Sequence, residues 1–426
     1  MITIYIVSTG HHLFLEKSIK SVLNQNIDIN LHVIETSADE KNIQKSSAIC
    51  EILGINLILL SNYNLPQVAN YILKKTNTPF LMRLDADDWL SNDFLKIAIQ
   101  EINKIDSDAY VPSYFETDQE GNVSREVSRG QLKESKVKDN PPHGACTIFK
   151  TSFLKKIGGY SEEYDRQDGY YIWLKILRFG SFSCMPEAKF YYRQHERNIS
   201  SNQRELWNVR ARMLIDECFN ELSKNSCCVI PILEKSSLFG QLTLEPFLGF
   251  STLLEYELNR LDISCKIYVY GPESLADVLP LDVSLIKRTK FSNNQWQDIQ
   301  DEAIQQIHFQ NGYVCIKNIE YPFVNPKYIE AAISAVHLFN ANSCITVEEL
   351  KKDVYRSSNS GLVMEEKGKV KDNDRRYKRS GGIVAKRIID GIIAKDNLTT
   401  SLPAESISAI RVTEMRDFMD LQGLIK

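Results

Sequence analysis

The chain opens on ITIYIV, an unbroken apolar run rich in β-branched residues, which predicts a buried parallel strand followed by the loop STGHH. LEKSIKSVLNQ then carries Leu15, Ile19, Val22 and Leu23 at the spacing of one helix face. LHVIET predicts a second strand, SSAICEILGI a second helix and NLILLS a third strand. LPQVANYILKKT follows as a helix with Pro66 in its first turn, where a missing N–H costs nothing. PFLMRL is the next strand. Strands alternating with helices predict an α/β fold with a mainly parallel sheet.

Residues 116–142 are polar and turn-rich, with ETDQEGNVS as a hairpin and NPPHG as an irregular loop. Gly158 and Gly159 end a short helix. IWLKILRF is an amphipathic helix with Asp168 at or just before its start, and KFYYRQHERNIS is a strand running into a basic, polar turn. ELWNVRARMLIDECFNEL is a long helix that closes the unit, and KNS at 224–226 is a candidate linker. From Cys228 the rhythm restarts. CVIPIL, CKIYVYG, QNGYVCIKNI and SCITVEEL read as strands, TLLEYELNRL and NPKYIEAAISAVHLF as helices. Charge dominates near residues 350–380, which predicts an exposed excursion or arm. The organisation expected is two Rossmann-like α/β domains in tandem, 1–223 and 228–426.

A length of 426 residues suits roughly two to three domains. Hydrophobic content of 43% and charged content of 25% are ordinary for a soluble protein, so these alone choose no function. Net charge is −4, which offers nucleic acid no broad basic field. The nine cysteines form no CxxC pair and no zinc-type cluster, and their odd number points to reduced thiols in a cytosolic compartment. No run of eighteen apolar residues is present, and MITIYIVSTG is too short to cross a bilayer. Attachment to a membrane surface stays open.

Against this plain background RLDADDWL is conspicuous, with Asp85, Asp87 and Asp88 crowded together straight after an apolar run. One reading is an acidic turn that ends a strand. The other is a site for a divalent cation carrying a phosphorylated substrate, since hard cations take carboxylate oxygens. Ligands of open α/β sheets bind beyond the carboxyl ends of the strands, which is where this triplet falls.

With these motifs in order, the N-terminal half resembles the family 2 glycosyltransferases, which have the GT-A fold. SVLNQN in the opening unit, RLDADDW as a DxD motif, HGACTIFKTSFLKKIGGYSEEYDRQDGYYIWLKI as the acceptor-side segment and YYRQHERNIS as the closing strand and loop carry the resemblance over roughly residues 1–205. It implies a nucleotide-sugar donor, a Mn²⁺ or Mg²⁺ ion, and inverting transfer to a glycan, lipid-linked or other hydroxyl acceptor, in bacterial surface polysaccharide or glycoconjugate synthesis. The setting implied is the cytoplasm or the inner face of its membrane. The resemblance makes Asp87 a metal ligand, puts Asp85 toward ribose and metal, and leaves Asp88 adjacent. Asp168 becomes the general base, with an N-cap as its structural alternative. Gln167 stands where the family has an acid and, with His143, falls on the acceptor side. Arg193 and His195 fall to the diphosphate, His195 also to the metal, while Thr9, Asn70 and Arg83 fall to the donor. For Arg83, an ion pair with a neighbouring carboxylate is the equal alternative. The family's acidic turn after the second strand reads IETSAD here, with Glu35 as the substitute for binding the base and Asp39 nearby.

The C-terminal half resembles, more faintly, the nucleotidyltransferases that make CMP-activated nonulosonic acids. VIPILEKSSLFGQLTLEPFLG, YVCIKNIEYPFVNPKYIEAAI and RRYKRSGGIVAKR line up with their segments. The cationic and glycine-rich phosphate contacts are replaced by Leu233, Glu234, Lys235 and Ser237, and Arg411 stands where an acid is expected. The expectation is an inactive, cytidylyltransferase-like domain with a structural, binding or dimerising role. A bifunctional synthetase–transferase and a non-catalytic nucleotide-sugar scaffold are the competing functions.

Overall fold

A computed structural model describes residues 2–10, 12–129, 141–142, 144–164, 167–194, 203–232, 254, 257–277, 279–287, 302–303, 305–319, 321, 324–350, 355–358, 361–364, 376–390, 392–394 and 399–403. The chain divides into two compact units, Met1–Arg210 and Ala211–Lys426.

The first unit runs β1 (Ile2–Ser8), α1 (His12–Leu23), β2 (Ile29–Glu35), α2 (Glu40–Ile52), β3 (Leu57–Leu59), α3 (Leu65–Lys75), β4 (Phe80–Asp85), β5 (Trp89–Leu90), α4 (Phe94–Lys104), β6 (Ala109–Thr117), β7 (Val123–Val127), β8 (Ile148–Lys150), α5 (Thr151–Lys156), α6 (Asp168–Phe179), β9 (Phe182–Arg193) and α7 (Gln203–Leu214). The sheet order is β3-β2-β1-β4-β8-β6-β9-β5, with β7 hydrogen-bonded to β6. Strands β1 to β4 are parallel, and β8 runs antiparallel between β4 and β6.

Side chains alternate across a strand, so β1 feeds two cores. Ile2, Ile4 and Ile6 pack with Leu15 and Ile19 of α1 and Phe94 of α4, while Tyr5 and Val7 join a second cluster with Val68 of α3, Phe153 of α5 and Trp173 of α6. Burial on both faces is why ITIYIV reads as continuous rather than alternating. Asn64 and Gln67 form a reciprocal capping box that starts α3, with proline in the first turn. Helix α2 begins at Glu40, ahead of the apolar stretch SSAICEIL, because Asp39 accepts from Lys41 N–H as its N-cap.

The division between units falls within α7, and the expected linker 224–226 is split between a tight turn at Ser223–Asn225 and the first residue of β10. The second unit contains β10 (Ser226–Pro231), β11 (Lys266–Gly271), β12 (Val283–Lys287), β13 (Gly312–Lys317), α8 (Lys327–Leu338), β14 (Ser343–Leu350), β15 (Tyr355–Ser358), β16 (Gly361–Met364), β17 (Arg376–Ile389), β18 (Ile392–Ile393) and β19 (Thr399–Pro403). Its order, β12-β11-β10-β13-β17-β14-β19, repeats the order β3-β2-β1-β4-β8-β6-β9 of the first unit. The senses repeat too: β17 is antiparallel to β13 and β14, and β14 is parallel to β19. Part of the charged stretch near 350–380 is therefore strand, including the hairpin β15–β16. None of the nine cysteines, all among the described residues, is in a disulfide, and burial pushes the thiols of Cys227, Cys228 and Cys315 upward, which keeps them inert.

Candidate active site

Strand β4 delivers the acidic triplet. Val7 of β1 pairs with Asp85, and Ala86 N–H donates to Val7 O, so the turn begins where the two central strands end. Asp88 N–H closes it onto Asp85 O at 3.1 Å. Asp85 and Asp87 are half-buried, whereas Asp88 is 1% exposed. Burial raises the Asp85 carboxyl, Arg83 opposes the shift, and the negative charges of Asp87 and Asp168 add to it, bringing it to about 6. Burial, with Asp87 and Asp85, holds Asp88 well above the carboxylate range, although Arg193 counteracts part of this.

Asp168 is brought to the same end of the sheet by α6. It is the first helical residue, and the N-cap position belongs to Gln167, in a left-handed conformation (φ 62°) with no side-chain capping bond. The N-cap alternative for Asp168 is thus removed by geometry. Arg83 lies between the two acidic groups, with Nε 2.9 Å from Asp85 Oδ1 and Nη1 2.5 Å from Asp168 Oδ2. Burial alone would make Arg83 easier to deprotonate, but Asp168 and Asp85 hold it firmly protonated.

Backbone proximity explains two glycines in the acceptor-side motif. A Cβ on Gly169 would meet Gly144 Cα and N at 3.2 Å, and one on Gly144 would meet Arg83 Nη2 at 3.2 Å. The segment around Gly144 is tied to β4 by Cys146 N–H donating to Arg83 O at 2.7 Å.

Several expected donor and acceptor contacts have partners within the protein. Glu35 is fully buried and accepts from Ser8 Oγ, Ser46 Oγ, Gly10 N and Ser37 N. Its carboxylate therefore fastens the β1–α1 loop instead of presenting itself to a base. Asp39 caps α2. Asn70 forms a two-way bond with the Tyr160 peptide, donating to O at 2.8 Å and accepting from N at 2.9 Å, and also donates to Glu162. It fixes the chain before α6. Arg193 is 3% exposed and turned onto the protein, with Nε donating to Asp87 O and Nη1 to Gln119 O. Gln167 accepts from Arg210 Nε at 2.7 Å, and Thr9 Oγ1 lies 3.0 Å from Thr36 Oγ1. His143, His195, Leu233, Glu234, Lys235, Ser237 and Arg411 lie outside the described residues.

Two residues were not anticipated. Tyr5 pairs with Arg83 in the β1–β4 register, and its hydroxyl is hydrogen-bonded to that of Tyr160. Both phenols are raised, chiefly by burial, and both feel Asp168 and Arg83. A lone hydroxyl-bearing aromatic within an apolar strand was the only trace of Tyr5 in the sequence.

Among the described residues no group of three or more His, Cys, Asp or Glu could hold a metal ion by itself. The carboxylates still suit a hard cation. The donor set is oxygen only, two of its members are partly open, and Asp88 Oδ2 is buried without a hydrogen-bond partner. Mg²⁺-type ions are commonly held by one or two carboxylates plus substrate phosphate and water.

Residues 3–158 match the family model described as Glycosyl transferase family 2. An uncharacterized glycosyltransferase of Haemophilus influenzae is 21% identical over 218 residues, covering 47% of this chain and 68% of that protein. S. aureus TarS 1–349, in complex with UDP-GlcNAc, aligns with TM-score 0.43 and 12% identity over 88% of this chain and 98% of its own. A longer S. aureus TarS structure is covered over 39% of its length and 50% of this chain, with TM-score 0.38 and 16% identity. The mannosyltransferase PcManGT from Pyrobaculum calidifontis, in complex with GDP-Man and Mn²⁺, aligns with TM-score 0.39 and 16% identity over 52% of this chain and 63% of its own.

Proposed function

We propose, from the premise that the N-terminal unit is a glycosyl transferase family 2 domain and the protein a hexosyltransferase-type enzyme, that it catalyses inverting, divalent-metal-dependent sugar transfer. The donor is a nucleotide sugar and the acceptor a hydroxyl of a glycan or lipid-linked glycan, in surface polysaccharide or glycoconjugate synthesis. The observation that carries this reading is the bridge Asp85–Arg83–Asp168, which joins the carboxylate turn to a second carboxylate at the same end of the sheet.

In this reading Asp85 and Asp87 hold Mn²⁺ or Mg²⁺. When bound, that ion neutralises charge growing on the leaving diphosphate. Asp168 takes the proton of the acceptor hydroxyl as its oxygen bonds to the anomeric carbon, while the bond to phosphate breaks and its electron pair leaves with the nucleoside diphosphate. Arg83 donates to Asp168 Oδ2, and in this reading Oδ1 takes the proton. Arg83 also offsets the repulsion between the two acidic groups. Thr9 and the Glu35-fastened loop border the donor side, and the resemblance gives His195 a donor or metal contact. Gln167 and His143 border the acceptor.

The second unit is proposed to be non-catalytic and to support the first by assembly, including as a homodimer. Lys317 ends β13, where Asp85 ends β4 in the corresponding strand, and it is fully buried against Glu257 at 2.5 Å. A cation locked internally at that position favours this reading over a second synthetase activity.

No helix among the described residues is long and apolar enough to cross a membrane. Action in the cytoplasm or at the inner face of the membrane is part of the proposal. Thermal melts of the full chain with a panel of nucleotide sugars, with and without Mn²⁺, test it. Metal-dependent stabilisation by one donor is expected, and its absence for every donor removes the donor reading.

A further inference from the structure

Arg193 closes β9 directly beside the carboxylate turn. Its backbone N–H donates to Asp88 Oδ1 at 2.9 Å, its Nε donates to Asp87 O at 3.0 Å, and its Nη1 donates to Gln119 O in the β6–β7 turn. The guanidinium lies 4.2 Å from the ring centre of Phe14 in α1 and 4.7 Å from that of Trp89 in β5. Trp89 is itself stacked on Tyr191 at 4.8 Å, with Lys17 Nζ 3.3 Å from its ring centre. One buried side chain therefore ties together α1, β5, β9, the β6–β7 turn and the main chain of the acidic loop. The packing is tight: a Cβ on Gly121 would fall 3.3 Å from Trp89 Cη2 and 3.4 Å from Lys17 Nζ.

We infer that the Arg193 side chain is a positioning group for the cation site, setting the main chain of Asp87 beside the Asp88 oxygen that the backbone N–H of residue 193 holds, and not a contact to the donor phosphates. This rests on the metal reading above. The guanidinium suits the task in two ways. Its planar fork reaches two carbonyls in different loops, and its faces stack on aromatic rings, which a lysine ammonium cannot reproduce. Its positive charge also offsets part of the repulsion that three clustered carboxylates impose on the turn. Groups that orient metal ligands without touching the metal typically contribute ten- to a hundredfold in affinity.

The experiment uses the full chain and two probes, Mn²⁺ alone and inorganic pyrophosphate in EDTA, each titrated by calorimetry. Arg193→Gln and Arg193→Lys are expected to weaken Mn²⁺ binding by about 10- to 100-fold while leaving metal-free pyrophosphate binding unchanged. Phe14→Leu, which keeps every hydrogen bond and removes one stacking ring, is expected to produce a smaller loss of the same kind. It also serves as the readout if both Arg193 variants fail to fold. Loss of pyrophosphate affinity with unchanged Mn²⁺ affinity would make Arg193 a phosphate contact and overturn the inference. A lowered melting temperature with unchanged Mn²⁺ affinity would make it merely structural. If the wild-type chain binds no Mn²⁺, the metal reading fails and this inference with it, whereas equal binding by wild type and all three variants sinks the inference alone.

Discussion

Arg83 Nη1 lies 2.5 Å from Asp168 Oδ2, although 85 positions separate the two residues in the chain. Both are at least nine-tenths buried. Burying two ions is costly, so the pair is poor grounds for stability by itself, but breaking it leaves one charge uncompensated. Arg83→Met is therefore expected to cost about 3–5 kcal/mol, read from urea unfolding. Arg83→Lys should recover part of that stability and much less of the turnover, because one ammonium cannot hold the fork geometry between Asp85 and Asp168. Equal recovery of both quantities would show that only the charge matters.

Asp168→Asn keeps the shape and removes the proton acceptor. Turnover should fall by roughly 10²-fold or more, the usual scale for a positioned base, while Mn²⁺ affinity measured by calorimetry stays near wild type. A collapse of metal affinity would assign Asp168 to the cation site instead.

Asp87→Ala tests the carboxylate turn itself, at the residue beside the Asp85 end of the bridge. Metal-dependent stabilisation by the donor should disappear and transfer with it. Full activity in this variant, or in the wild type under EDTA, is the result that contradicts cation-dependent transfer.

The crowding at Asp85 gives the site a pH dependence. With the Asp85 carboxyl raised to about 6 in the fold, the folded state binds more protons than the unfolded state between roughly pH 4 and 6. The metal-free protein thus loses stability from this group as pH rises through that window, and the loss is relieved as pH falls. A cation competes with that proton. The rise in melting temperature caused by Mn²⁺ should be larger at pH 7.5 than at pH 5, and Asp85→Asn should flatten the difference.

Much of this site was legible because charge and periodicity announce themselves locally. An acidic triplet after an apolar run marks the strand end, whereas the second carboxylate, Asp168, is singled out by the family resemblance of the acceptor-side segment. What escaped depends on which oxygen meets which donor across the fold. Glu35 is expected in the turn after the second strand but is the last residue of β2, where Ser8 and Ser46 from two other elements both donate to its Oε2. Asn70 lies on the expected helix, but its amide matches a peptide 90 residues away. Strand β8 is only three residues long and sits beside a helix start, so no periodicity could mark it. The restart of the strand rhythm at Cys228 marks a second α/β unit, but the repeated strand order depends on which strands pair across the fold, which the periodicity of single segments does not carry.

That repetition carries the last prediction. Lys317 and Asp85 end corresponding strands, yet Lys317 is 0% exposed and bonded to Glu257, which is 1% exposed. Glu257 Oε1 has no hydrogen-bond partner among the described residues, so within them the pair is only partly compensated. Removing one member should cost more than removing both. Lys317→Met alone is expected to destabilise the second unit by about 3–5 kcal/mol, whereas Lys317→Met with Glu257→Leu should lie near wild type or above it. Because the proposed chemistry belongs to the first unit, the double variant should retain sugar transfer per folded molecule, and neither it nor the wild type should release pyrophosphate from CTP plus a nonulosonic acid. Pyrophosphate release by the wild type that the double variant loses would make Lys317 part of a working second site.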